Sequence, residues 1–295
     1  MRGPLLRIGL HAADLLARLL PSRLAYLVAD LLGRSWHRFS PGRRAIVAAN
    51  LARVQAWRGE PTDGPAFRRL VERAFVEHAR YWMEVFRLRH YPEERFATML
   101  RPVGWEELRP DFASGVVVTV PHLGNFEPFA HFIEAQGISG ISPVEQTEPK
   151  ELYDFLVKRR LVGGRGIRLV PLSQSVRPML AALRDGEIVA LAADRDLGGD
   201  GIEVTMFGHP TTLPAGPATL SLRTGKPLYV ARALREGPER FTATAWRVEL
   251  TPSGDRRADT AALTRELAAR FEAIIADSPE QWFAAFQPFG KEGPA

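Results

Sequence analysis

The chain has 295 residues, 45% of them hydrophobic and 25% charged, which is enough apolar material for one large core or two modest ones and excludes a disordered protein. It has no cysteine, which excludes disulfides, thiolate metal sites and cysteine nucleophiles and suits a reducing compartment. A formal charge of +5 makes a surface that seeks anions, whether nucleic acid, anionic lipid headgroups or phosphorylated substrates.

Residues 1 to about 100 read as helical. In "PLLRIGLHAADLLARLLPSRLAYLVADLLGRSWHRFSPGRR", Leu5, Ile8, Ala12, Leu15, Leu16 and Leu19 recur at helical spacing. A second helix follows Pro21 with Leu24, Leu27, Val28 and Leu31. Arg7, Asp14, Arg18, Arg23 and Asp30 interrupt every run, so no uncharged stretch reaches the ~18–20 residues of a membrane span. The charges also fall where a signal peptide would be apolar, and no small-residue cleavage site follows, so export is not expected. Two readings of these helices stand: they pack on the protein's own core, or they lie in a membrane interface. Trp36, Phe39, Arg34, Arg38, Arg43 and Arg44 lean toward the second, because aromatic and basic residues together suit an anionic headgroup zone. No nucleic-acid partner is expected, since the basic residues cluster with leucine-rich helices and no nucleic-acid motif is present.

"PGRRAIVAANLARV" and "FRRLVERAFVEHARYWMEVFRL" continue the helical period. From about residue 115 the period changes. "GVVVTV", "ISGISPV", "IRLVPL", "GEIVALAAD", "IEVTMF", "PLYVARALR" and "RFTATAWRVEL" read as strands, with helices near 127–137, 149–160, 175–184, 215–224 and 258–277. The expected fold is α/β, a central mixed open sheet flanked by helices, with a helical N-terminal region of residues 1–100 and an α/β core of residues 101–295. The division between the two is soft, because no linker separates them.

Chemistry concentrates in "VVVTVPHLGNFEPF". Ligands of open α/β sheets bind beyond the carboxyl ends of strands, and His122 stands two residues past such an end. Gly124 permits a tight turn and Asn125 can cap a helix, which would leave backbone N–H groups for an oxyanion. His122 and Glu127 would lie about 140° apart on one regular helix, so a contact between them requires His122 on the turn outside it. A carboxylate on one ring nitrogen fixes the tautomer and leaves the other free to take a proton. The motif holds no serine and the chain has no GxSxG, so the attacking hydroxyl would belong to a substrate. The spacing of His122 and Glu127 does not suit a helical metal site, and no metal is expected. His78, His131 and His209 are read as packed or turn residues.

"PHLGNFE", together with "LYDFLVKRR…IRLVPL" and "ALAADRDLGGDGIEVTMFGHPTTLPAGPATLSLRTGKPL", resembles the lipid A biosynthesis acyltransferase family over nearly the whole chain. Asp-Arg-Asp followed by "GIEVTMFG" and "LPAGPA" resembles its actinobacterial phosphatidylinositol mannoside acyltransferase branch. The resemblance implies a peripheral enzyme on the cytoplasmic face of the plasma membrane. It would use acyl-CoA, typically palmitoyl-CoA, as donor substrate with no cofactor, and a mannose of a phosphatidylinositol mannoside glycolipid as acceptor. It implies His122 as general base, Glu127 as the supporting acid, and Arg160 and Glu145 as cleft residues. Asp194, Arg195 and Asp196 are expected to organise the cleft and the acceptor, with Glu203 a further candidate partner of His122. Other acceptors, an acyl carrier protein donor, or hydrolysis by activated water are the alternatives.

Overall fold

The computed structural model describes residues 2–88, 90–146, 153, 157 and 166–289. Four helices open the chain: α1 (Arg2–Leu19), α2 (Ser22–Phe39), α3 (Pro41–Trp57) and α4 (Gly64–Leu88). A short α5 (Glu93–Met99) leads to β1 (Leu100–Pro102) and α6 (Trp105–Ala113). The core follows as β2 (Val117–Val120), α7 (Glu127–Ala135), β3 (Gly140–Val144), β4 (Ile167–Pro171), α8 (Val176–Arg184) and β5 (Ile188–Ala192). The hairpin β6 (Ile202–Met206) and β7 (His209–Leu213), then α9 (Gly216–Thr224), β8 (Leu228–Gly237), β9 (Arg240–Val248) and α10 (Arg256–Asp277) complete it.

Seven strands form one mixed sheet in the order β1-β9-β8-β2-β5-β3-β4, parallel except for the β8/β9 pair. The expected mixed open sheet flanked by helices is therefore present. "IEVTMF" is not in it: β6 pairs with β7 in a separate two-stranded ribbon, which places His209 on a strand rather than in a turn. The chain leaves β2 to build β3 and β4, returns to β5 beside β2, and then crosses to β8 on the other flank. The carboxyl end of β2 thus lies at the kind of strand-order reversal where open sheets form a crevice. One face of the sheet shares a core with Leu51, Phe75, Leu267 and Phe271 from α3, α4 and α10, so the N-terminal helices and the sheet bury a common interior.

The inward face of α2 combines Tyr26 with a stripe of small residues. Ala25, Ala29 and Gly33 recur every four positions and are buried, and a Cβ at Gly33 would come 2.6 Å from the Cα of Val76 on α4. The leucines face the other way. Leu16, Leu19, Leu27 and Leu31 are 59%, 67%, 53% and 55% exposed, so the leucine stripe does not pack on the protein's own core. No helix among the described residues is long and apolar enough to cross a membrane.

The basic cluster divides. Arg34 and Arg38 are exposed, whereas Arg43 donates to the carbonyl of Phe286 and Arg44 to that of His37. Trp36 packs inward, with its ring 4.9 Å from Phe75 and 5.1 Å from Phe286. Of the residues expected at a headgroup zone, Trp36, Arg43 and Arg44 serve the fold instead.

His78 of α4 is half-buried against the ring of Phe286, 4.3 Å away, and its Nε2 accepts the indole N–H of Trp82 at 2.9 Å. Burial, followed by the charge of Arg43, pushes its pKa down from 6.5 to about 4. The unfolded chain therefore binds a proton that the folded one refuses between those values. This contribution to stability is complete above about pH 6.5 and is lost as pH falls toward 4, on the order of 3 kcal/mol in all. His78→Phe is expected to flatten that part of the pH dependence of the urea midpoint. An unchanged slope between pH 6.5 and 4 would locate the titration elsewhere.

Candidate active site

His122 and Asp194 come together through strand register. β2 and β5 are parallel neighbours with Val120 opposite Ala192, so two further residues on each strand place His122 beside Asp194. The ring Nδ1 of His122 lies 2.5 Å from Asp194 Oδ1, and the His122 backbone N–H donates to Oδ2 at 3.0 Å. Trp282 Nε1–H donates to the same Oδ2 at 2.9 Å. Asp194 is 2% exposed and Trp282 fully buried.

Burial by itself would push the Asp194 carboxyl up. The His122 charge and the hydrogen bonds from the ring, the indole and the His122 amide outweigh it and hold the carboxyl below its ordinary value. An ionised carboxylate only accepts, so the proton between the two groups sits on Nδ1, and in the neutral ring Nε2 is the nitrogen with the lone pair.

This corrects the expected partner: the carboxylate on Nδ1 is Asp194, neither Glu127 nor Glu203. His122 does stand on the turn outside α7, but its Nδ1 points toward the β5 end. Glu127 opens α7, where its backbone N–H donates to Asn125 Oδ1 at 3.1 Å, and its side chain lines the same cavity as His122. Glu203 on β6 lines a different cleft, with Arg53, Thr211 and Arg265.

The amides of Leu123, Gly124 and Asn125 are already engaged within the protein. The N–H of Leu123 donates to Pro121 O at 2.7 Å, that of Gly124 to Gln281 O at 3.0 Å, and that of Asn125 to Ala233 O at 2.8 Å. Gly124 and Asn125 are therefore turn-building residues and not the expected oxyanion donors. The glycine is required: φ is +66°, and a Cβ there would lie 2.0 Å from Ala233 O. Phe283 N–H donates to His122 O at 2.7 Å, so the segment Gln281–Phe283 clamps the turn from the C-terminal side. Trp282 and this clamp were not found from sequence. Only the late aromatic cluster "EQWFAAF" hints at them.

Asp196 accepts the backbone N–H groups of Gly198, Gly199 and Gly201 at 3.2, 3.0 and 2.8 Å. Burial would raise its carboxyl, but these bonds and the Thr212 hydroxyl hold it low, so it shapes the loop before β6. Arg195 is half-buried between the two aspartates. Glu145 is exposed just past β3, on the lining of the His122 cavity. Arg160 and the adjacent Arg159 lie outside the described residues, as does most of the expected 149–160 helix. No group of His, Asp and Glu suited to a metal ion occurs among the described residues.

The cavity has a volume of about 370 Å³ and runs between one face of the sheet and α7. Residues of four strands form its floor in rungs: Val120 and Ala192 beside His122, then Val118, Ala190 and Ser142, then Ile188 with Ile167 of β4 at the far end. Phe112, Phe129 and Ile133 close the other side. Between the first rung and Ile188 lie four strand steps, about 13 Å, the length of roughly ten extended methylenes.

An α/β fold with a carboxylate-oriented histidine at the mouth of a long apolar cavity has the equipment of an enzyme that handles acyl chains. Comparison with known proteins agrees. The family described as bacterial lipid A biosynthesis acyltransferase matches residues 8–289, and the chain belongs to that family. Phosphatidylinositol mannoside acyltransferase of Mycobacterium tuberculosis (strain CDC 1551 / Oshkosh) is 32% identical over 242 residues, covering 79% of this chain and 73% of the relative. The protein of the same name from Mycolicibacterium smegmatis is 30% identical over 289 residues, covering 95% and 90%. The chain is an acyltransferase, which implies an acyl donor and a lipid acceptor.

Proposed function

We propose that this acyltransferase moves a long acyl group from acyl-CoA to a mannose hydroxyl of a phosphatidylinositol mannoside, with His122 as general base. The observation that carries the reading is the apolar cavity whose mouth holds the His122–Asp194 pair. The names of the mycobacterial relatives support the acceptor.

The acyl chain lies along the rungs and brings its thioester carbonyl to His122. Nε2 takes the proton of the mannose hydroxyl as the oxygen attacks that carbon, and Asp194 stabilises the imidazolium that forms. As the tetrahedral intermediate collapses, the carbon–sulfur bond breaks and the imidazolium returns the proton to the departing thiolate. The products are the acylated glycolipid and free CoA, with no cofactor consumed. Glu127 on the cavity wall and Glu145 near its mouth are the acids placed to meet acceptor hydroxyls.

Incubation with radiolabelled palmitoyl-CoA and a panel of phosphatidylinositol mannosides and lipid A precursors tests this. Label is expected on the mannosides. Label on lipid A precursors alone, or release of free fatty acid without transfer, would replace the reading with one of the alternatives.

Ala190 is the small residue of the middle rung, so Ala190→Phe would close the cavity partway. Rates with palmitoyl-CoA are expected to fall about tenfold or more, with butyryl-CoA, whose chain ends before this rung, little affected. A proportional loss for both lengths would mean that the chain does not follow this floor.

The outward leucines of α1 and α2 support association with the cytoplasmic membrane surface, with exposed Arg34 and Arg38 meeting anionic headgroups. Each buried leucine contributes roughly 1.5–3 kcal/mol, so Leu27→Asp with Leu31→Asp is expected to weaken vesicle binding at least about tenfold. The unfolding midpoint should hold, because both side chains are exposed. Unchanged sedimentation with anionic vesicles would remove these helices as the anchor.

A further inference from the structure

The turn that carries His122 is held from inside the protein by a carboxylate that the reaction itself does not use. Glu84, on α4, is 3% exposed and its two oxygens receive four hydrogen bonds. Oε1 accepts the Tyr26 hydroxyl and Arg235 Nε, each at 2.6 Å. Oε2 accepts Arg235 Nη2 at 2.6 Å and Asn125 Nδ2 at 2.8 Å. Asn125 is fully buried three residues after His122, and its other side-chain atom, Oδ1, receives the N–H that opens α7. One amide side chain thus joins Glu84 to the turn and to the helix that walls the cavity.

We propose that Glu84 is a positioning residue for acyl transfer: through Asn125 it fixes where the His122 turn and the start of α7 stand relative to the acyl chain, with Tyr26 completing its hydrogen bonding. The case rests on the reading of His122 as the base. A carboxylate that only stabilised the fold needs a cation, and Arg235 already supplies one on both oxygens. The bond to Asn125 is additional and runs to the catalytic turn. Tyr26 ties the arrangement to α2, the helix whose other face carries the exposed leucines. Burial, and then the nearby Glu84 charge, push the Tyr26 phenol up, so it remains a hydrogen-bond donor throughout the working pH range.

Two variants separate positioning from packing. Glu84→Gln keeps the shape but cannot accept all four bonds, and Tyr26→Phe removes one hydroxyl while keeping the ring. Rates are taken per folded molecule, with acyl-CoA as the varied substrate. Glu84→Gln is expected to lower kcat by roughly 10–100-fold and Tyr26→Phe by about threefold to tenfold, with KM for acyl-CoA within about twofold, the pattern of misplaced catalytic groups. The pH profile should keep its limbs, because the His122–Asp194 bond stays. A lower unfolding midpoint with kcat unchanged would make Glu84 purely structural and overturn the inference. If Glu84→Gln does not fold, Tyr26→Phe decides alone, and an unchanged kcat there overturns it. His122→Ala run alongside keeps the two readings apart. An active His122→Ala removes the base, whereas an inactive one beside a normal Tyr26→Phe and Glu84→Gln removes only the positioning role.

Discussion

His122→Ala is expected to lower kcat for acyl transfer by on the order of 10²–10⁴ while the protein remains folded. The imidazole stands at the mouth of the cavity, with about a third of its side chain exposed, so deleting it removes little packing. The turn itself is fixed by backbone bonds to Gln281, Phe283 and Ala233, none of which needs the ring. What is lost is Nε2, the acceptor for the proton of the attacking hydroxyl. Steady-state rates with palmitoyl-CoA and a mannoside acceptor, with circular dichroism as the folding control, make the check. Turnover within a few-fold of wild type would move the base elsewhere.

Asp194→Asn should be nearly as severe, by about 10³–10⁴ in kcat, for a reason that lies in tautomers rather than charge alone. The carboxylate accepts three donors: the His122 ring and the N–H groups of His122 and Trp282. An amide has one oxygen. If that oxygen keeps the His122 and Trp282 N–H groups, the NH₂ faces Nδ1 and forces it to accept. The ring proton then moves to Nε2, which can no longer act as a base. Stability should fall as well, by about 1–3 kcal/mol, since in this orientation the second N–H of the amide finds no acceptor among the three groups, and in the other the NH₂ faces the N–H groups of His122 and Trp282. A variant within tenfold of wild-type kcat would contradict the assignment of Asp194 as the group that orients His122.

The fold was largely legible because its elements carry clean periods. The seven strand segments named from sequence all form strands, and the apolar period marked the helices from α7 onward apart from the stretch outside the described residues. Short β1 and the polar "HPTTL" of β7 escaped, since three residues or an alternation without strong apolar contrast give little signal. The outward turn of the α1 and α2 leucines was not decidable either. Helical spacing locates a stripe but does not say what covers it, and the inward stripe of Ala25, Ala29 and Gly33 looks weak by hydrophobicity although it permits the closest helix approach.

The histidine was visible from its place after a strand, and its acid was not. His122 and Asp194 lie 72 residues apart, and nothing local shows that β2 and β5 are neighbours with Val120 opposite Ala192. Spacing favoured Glu127, the nearest acid in sequence, which instead faces the cavity from the start of α7. Asp194 and Asp196 look alike in "DRD", yet one residue of chain direction separates a buried partner of His122 from an acid that folds its own loop. Gly124 was read for its flexibility. Its role is to let the turn pass against Ala233, where Ala233 O takes the Asn125 amide while Gln281 O takes that of Gly124.

Attack by a substrate hydroxyl, with no acyl group ever bonded covalently to the protein, is the central claim and can be measured by rapid mixing with acyl-CoA in the presence and absence of acceptor. The account predicts CoA release that depends on the mannoside acceptor, no burst in its absence, and an unchanged intact mass of the protein. A burst of CoA stoichiometric with enzyme, accompanied by a protein mass increased by one acyl group, would contradict it.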